Sequence, residues 1–118
     1  MSAVTACPVI AFHGTADPFD PYSGGDSMLG PVIGVEAWAT DWAGRNGCLS
    51  GLVAHPAIGD VVPLAWAGCA APVQLYRVND GGHTWPGQPT TPDDWGYVTM
   101  QISANDLIWA FFGAHPLP

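Results

Sequence analysis

PVIAF, residues 8–12, is a short apolar run that stops abruptly at HGTADPFDPYSGG, residues 13–25, a segment crowded with Gly, Pro, Asp and Ser. The run reads as a buried strand, and the segment after it as a long loop. A strand with no polar alternation suits a parallel sheet covered on both faces, so this stretch sets the expected fold class as α/β.

Working outward from it, GVEAWATDWAGRNG, residues 34–47, places Val35, Trp38, Ala39 and Trp42 at i, i+3, i+4 and i+7, one face of a helix. Glu36 stands early and Arg45 late, which suits the helix dipole, and Gly47 is a natural C′ residue; a helix is expected over 34–46. DVVPLAWAG, 60–68, is a strand weakened by Pro63 toward an edge or bulge. APVQLYRVN, 71–79, alternates Val73 and Leu75 against Gln74 and Tyr76 and is the best strand in the chain. Residues 84–101 are an irregular loop with three prolines. Ser103 then caps a helix, with Asp106 three residues on. Leu107, Ile108, Phe111 and Phe112 form its buried stripe, and His115 and Pro116 end it. The order strand, helix, strand, strand, helix, without repeat or linker, gives one domain over 1–118.

The 118 residues are 48% hydrophobic but only 10% charged, with six tryptophans and a net charge of −8. The only basic residues are Arg45 and Arg77. Nucleic acid and anionic membrane surfaces are therefore excluded as partners, since nothing is available to neutralise phosphates. No apolar run reaches the roughly 20 residues that span a bilayer. The N-terminal MSAVTACPVIAF has no basic n-region of a signal peptide. So few charges leave an apolar surface that another chain could cover. A closed homo-oligomer, most simply a dimer, is expected, because an unpaired strand at 8–12 would recruit another strand.

Two loops carry the chemistry. Asp17 follows one strand in AFHGTADP, and His83 follows another in YRVNDGGHTWPG. Ligand sites in open α/β sheets gather outside the carboxyl ends of strands, so the two side chains can meet there. The carboxylate would accept Nδ1–H, fix the tautomer and leave Nε2 as a general base, with Gly81 and Gly82 giving the tight turn before the ring. Trp85 and Trp95 could line a substrate site, while Trp38, Trp42 and Trp109 belong to core or interface. His13 supports the Asp loop, and His55 and His115 read as surface residues. No cofactor or metal is called for, because neither C-x-x-C nor a helical H-x-x-x-H is present. Cys48 and Cys69 flank a Gly-rich segment, and a bridge between them is plausible in an oxidising compartment, with Cys7 the odd residue.

The stretches PVIAFHGTADPFDPYSGG, VEAWATDWAGRNGC, GGHTWPG and LIWAFFGAHPLP together resemble the C-terminal half of secreted α/β-hydrolase esterases of the feruloyl esterase and polyhydroxybutyrate depolymerase-like group. The resemblance covers nearly the whole chain. It implies a truncated α/β-hydrolase-like sheet of about three strands, mainly parallel, with two main helices. It further implies that Asp17 and His83 are the last two members of a Ser-Asp-His triad, that Cys48 and Cys69 are paired, and that the setting is secreted or periplasmic. The implied activity is hydrolysis of small neutral acyl or aryl esters of the feruloyl type.

The family's nucleophile sits in a G-x-S-x-G elbow far upstream of the aspartate, and this chain contains no such motif, so the expectation is half of a hydrolase. Of its five serines, Ser103 is a helix cap, Ser2 lies in a frayed terminus and Ser50 has no elbow signal. Ser23 and Ser27 remain, in YSGGDSMLG just beyond Asp17. GDSM is similar to the serine block of another hydrolase class, which puts Ser27 first as nucleophile; a water activated by His83 is the other route. Two alternatives stand beside the esterase: a non-catalytic remnant serving as a binding or assembly module, and a split fragment that works only with an N-terminal half.

Overall fold

The computed structural model describes residues 5–28, 30–89 and 91–116; Ser2 falls outside them. In chain order the elements are strand β1 (Val9–Gly14), strands β2 (Gly25–Ser27) and β3 (Gly30–Val32), helix α1 (Val35–Arg45), strands β4 (Val53–Ala54), β5 (Val61–Ala65) and β6 (Val73–Val78), and helix α2 (Ala104–Ala114). A single 3₁₀ turn at Asp93–Trp95 interrupts the loop between β6 and α2.

The sheet corrects the expectation of a mainly parallel, hydrolase-like architecture. Four strands lie in the order β1-β6-β5-β4, and only β1 and β6 run parallel, in register from Val9↔Val73 to Gly14↔Val78. β5 is antiparallel to β6, and β4 to β5, while β2 and β3 form a separate antiparallel pair. The reason is connection length. Residues 66–72 join β5 to β6 and residues 55–60 join β4 to β5, both far too short for the crossover of a dozen or more residues that parallel pairing needs. β1 reaches β6 in parallel because everything from the β2–β3 hairpin to β5 lies between them in sequence. Nor is β1 covered on both faces: it lies at the sheet edge, and Val9 to His13 are all half-buried.

α1 packs its Val35, Ala39 and Ala43 stripe onto Leu64, Trp66, Val73 and Leu75. Trp42 flanks that core, whereas Trp38 is more exposed at its rim. The helix ends as its sequence requires. Gly47 takes φ +67°, and the Gly47 and Cys48 amides donate to Gly44 and Ala43 carbonyls. Cys48 and Cys69 form a disulfide that ties this end to the β5–β6 turn, and Cys7 is free and exposed.

Pro63 lies inside β5, yet β5 is not an edge strand. The His55 amide donates to the Pro63 carbonyl at 2.8 Å, so this residue's backbone polar groups face away from β6, beyond the end of the two-residue β4. The missing N–H therefore costs no bond to β6. Asn46, the C-cap of α1, is 1% exposed, and its side chain brackets Cys7 from both sides, accepting from its amide and donating to its carbonyl, while also donating to Ala71.

α2 starts at Ser103, whose hydroxyl accepts from the Asp106 amide. Its expected stripe is only partly buried. Phe111 is inside and Leu107 and Ile108 are half-covered, but Phe112 faces solvent and Trp109 is 85% exposed, so Trp109 is no core residue. Too little sheet lies beneath the helix to cover a full apolar face. No helix among the described residues is long and apolar enough to cross a membrane.

Candidate active site

Because β1 and β6 are adjacent and parallel, their carboxyl ends open at the same edge, and the loops that follow them are sewn together. Thr15 donates its amide to Val78, Ala16 donates to Gly81, and the Asp80 amide donates to Thr15 Oγ1. Asp80, not a glycine, takes the left-handed conformation in this turn, with φ +60°. Gly81 and Gly82 serve close approach instead. A Cβ on Gly81 would crowd Val78 and Gly14, and one on Gly82 would drive into the Trp95 carbonyl and come within 2.7 Å of Gly96 Cα.

Asp17 is built by local geometry. Its Oδ1 accepts the amides of Phe19 at 2.8 Å and Asp20 at 2.9 Å, an Asx turn that orients the carboxylate. Oδ2 then points at His83 Nδ1, 2.9 Å away. The carboxylate is 4% exposed and the His83 ring 49%. Burial works to raise the Asp17 pKa, but the Asp20 and Phe19 amides and the His83 ring together outweigh it and hold the group below its ordinary value. The carboxylate thus stays ionised and acts as acceptor, so Nδ1 carries a proton and, in the neutral ring, Nε2 is the nitrogen left with the lone pair.

His13 approaches the same carboxylate. Its Nε2 lies 2.9 Å from the Asp20 carbonyl and 3.4 Å from Asp17 Oδ2. A carbonyl only accepts, so His13 holds its proton on Nε2 and braces the Asp loop.

The His83 ring is held edge-on between Phe19 and Trp95, with centroids 5.4 Å and 5.6 Å away. Behind it, residues 95–99 form a strap: Trp95 accepts the His83 amide at 2.7 Å, and Tyr97 accepts the Gly82 amide and the Thr84 hydroxyl, each at 2.9 Å.

Two hollows meet at the ring. One, of about 440 Å³, is walled by Phe12, Thr84, Trp85, Thr91 and Trp95; the other, of about 520 Å³, by Phe19, Ser27, Met28, Val32 and Trp95. His83 lines both. Trp85 is steered by an indole bond to Asn105 at the start of α2. The structure therefore brings Asp17, His83, Trp85 and Trp95 to one place. Ser27 lines the second hollow from the end of β2, and its hydroxyl donates to the Gly30 carbonyl at 2.6 Å.

Sequence reasoning missed two things here. Asp80 and His83 have a D-x-x-H spacing, yet the ring turns to Asp17. Asp60, Tyr97 and Thr99 form a second layer: both hydroxyls donate to the Asp60 carboxylate. Nothing in the spacing announces that cluster, since its members lie in unrelated loops. Among the described residues no group of three or more His, Cys, Asp or Glu side chains is placed to hold a metal ion. No family model, curated protein or solved structure matches the chain.

Proposed function

We propose that the protein is a small carboxylic-ester hydrolase acting on neutral acyl or aryl esters, with His83 as general base and Asp17 as its orienting carboxylate. The observation that carries this reading is the Asp17–His83 hydrogen bond at the junction of two hollows. The likeness of HGTADP and GGHTWPG to esterase loops supports it. An apolar acyl group fits against Phe19, Met28 and Val32, and the alcohol portion against Trp85 and the threonines. Nε2 takes a proton from a water or hydroxyl nucleophile as it attacks the ester carbonyl. The imidazolium, stabilised by Asp17, returns the proton to the departing alkoxide. Water is the simpler nucleophile, because the Ser27 hydroxyl proton must leave the Gly30 carbonyl before it can turn to a base.

Turnover of p-nitrophenyl butyrate tests the reading. His83→Ala should lower the rate by roughly 10²-fold or more while leaving the fold intact; unchanged turnover would refute the assignment. Ser27→Ala separates the two nucleophiles, for only a serine route is lost with it.

A second reading, an assembly or binding module that works as a homo-oligomer, draws on the exposed aromatic side of α2 at Trp109 and Phe112. Light scattering that finds a 12.3 kDa species at micromolar concentration would remove it.

A further inference from the structure

We infer that Asp60 is a positioning residue for His83, acting through the strap at residues 95–99; its catalytic consequence rests on the esterase reading, its structural consequence does not. Asp60 immediately precedes β5, and its carbonyl accepts the Asn79 amide at 2.9 Å, so its backbone is fixed to the end of β6. Its carboxylate reaches the other way. Oδ1 accepts the Thr99 hydroxyl at 2.6 Å and Oδ2 accepts the Tyr97 hydroxyl.

Thr99 is 1% exposed, so its hydroxyl has no ready substitute partner in water. Beyond Trp95, which closes the 3₁₀ turn, the strap lies outside any regular element apart from a single bridge between Gly81 and Tyr97, and it relies on anchors of this kind. Burial works to raise the Asp60 pKa, but the Thr99 and Tyr97 hydroxyls prevail and lower it, as expected for an ionised double acceptor.

The strap in turn holds the amides of Gly82 and His83 and the hydroxyl of Thr84. The contact has no slack, because Gly82 already lies against the Trp95 carbonyl with no room for a methyl group. A displacement of the strap therefore passes to the His83 backbone and to the ring that must meet Asp17 Oδ2. Shifts of about 1 Å in a reacting group are enough to cost roughly 10²-fold in rate. Asp60 touches neither hollow; it acts by fixing what holds the base.

The test is Asp60→Ala, followed by NMR. Amide exchange at Gly82 and His83 should quicken by about tenfold, while Leu75 in the core of β6 keeps its protection. The His83 imidazole nitrogen shifts should move from a pure Nδ1–H form toward a tautomer mixture. In turnover of p-nitrophenyl butyrate, kcat should fall by about tenfold with KM little changed. Unchanged exchange and unchanged imidazole shifts would overturn the inference. If Asp60→Ala loses Leu75 protection, Tyr97→Phe decides instead, since it removes one exposed hydroxyl: the same changes in smaller measure support the inference, and their absence overturns it. A parent protein with no turnover would sink the esterase reading alone, because exchange and imidazole shifts still read the Asp60 linkage.

Discussion

The Asp17 loop and the His83 loop leave neighbouring strands in the same direction, yet they are held by opposite means. Asp17 is fixed by its own chain, through amides two and three residues away. His83 is fixed from a distance, by Trp95 and Tyr97 carbonyls in a strap that Asp60 secures. One half of the pair carries its scaffold with it and the other borrows one. Substitutions in the first loop should therefore alter chemistry more than stability, and those at the second should do the reverse or both.

The largest effect should come from Asp17→Asn. The Phe19 and Asp20 amides select the side-chain oxygen, which turns the new NH₂ toward His83 and forces the wrong tautomer. Ester turnover should fall by roughly 10³-fold. Because the Asx turn survives, urea denaturation should show a loss of only about 1 kcal/mol. A large stability loss would mean that the loop is not self-supporting.

Gly82→Ala should follow, at about 3 kcal/mol of stability, since the added methyl meets backbone that no rotamer change can move. A midpoint close to that of the parent protein in the same denaturation would show that the strap yields.

Acid should weaken both loops. Asp17 and Asp60 each have a folded-state pKa below 3.8, so as pH falls the unfolded chain takes up protons first. Their contribution is complete at neutral pH and declines from about pH 5 down through the lowered values. Denaturation midpoints measured between pH 7 and pH 3 should drop, and the Asp17→Asn protein should show a flatter profile. A parent profile with no slope in that range would contradict the network.

The smallest change belongs to Thr84→Val, which deletes one exposed hydroxyl bond to Tyr97; about 0.5–1 kcal/mol is expected from thermal unfolding.

The same contrast explains what the sequence disclosed. The α1 helix, its Gly47 terminus, the Ser103 cap and the strands at β1, β5 and β6 rest on local rules, and they lie within a few residues of where periodicity and punctuation put them. The apolar run at 8–12 favours a parallel sheet, but the short gap between the strands expected at 60–68 and 71–79 already dictates antiparallel pairing there, while the two-residue β4 gives no sequence signal of its own. The hairpin at Gly25–Val32 begins where the loop expected over 13–25 ends, in a Gly- and Pro-containing stretch too short and irregular for a period-2 signal. Asp17 and His83 stood out because each sits in a dense turn motif after a strand. Asp60, Tyr97 and Thr99 did not, since side-chain partners 37 and 39 residues apart follow no period. Asn46, clasping Cys7 across 39 residues, was hidden in the same way behind the helix-stop signal beside it.

The parallel union of β1 with β6 also sets an order of events. Asp17 and His83 are 66 residues apart, and their strands can pair only after the intervening chain has been gathered. The hairpins β5–β6 and β2–β3 and helix α1 are all closed by short loops and can form early, whereas β1 must dock onto a finished edge. The histidine and its carboxylate thus meet only through a long-range pairing and not through local structure. A molecule in which β1 has not docked on β6 therefore has no oriented base, whatever local structure it already holds.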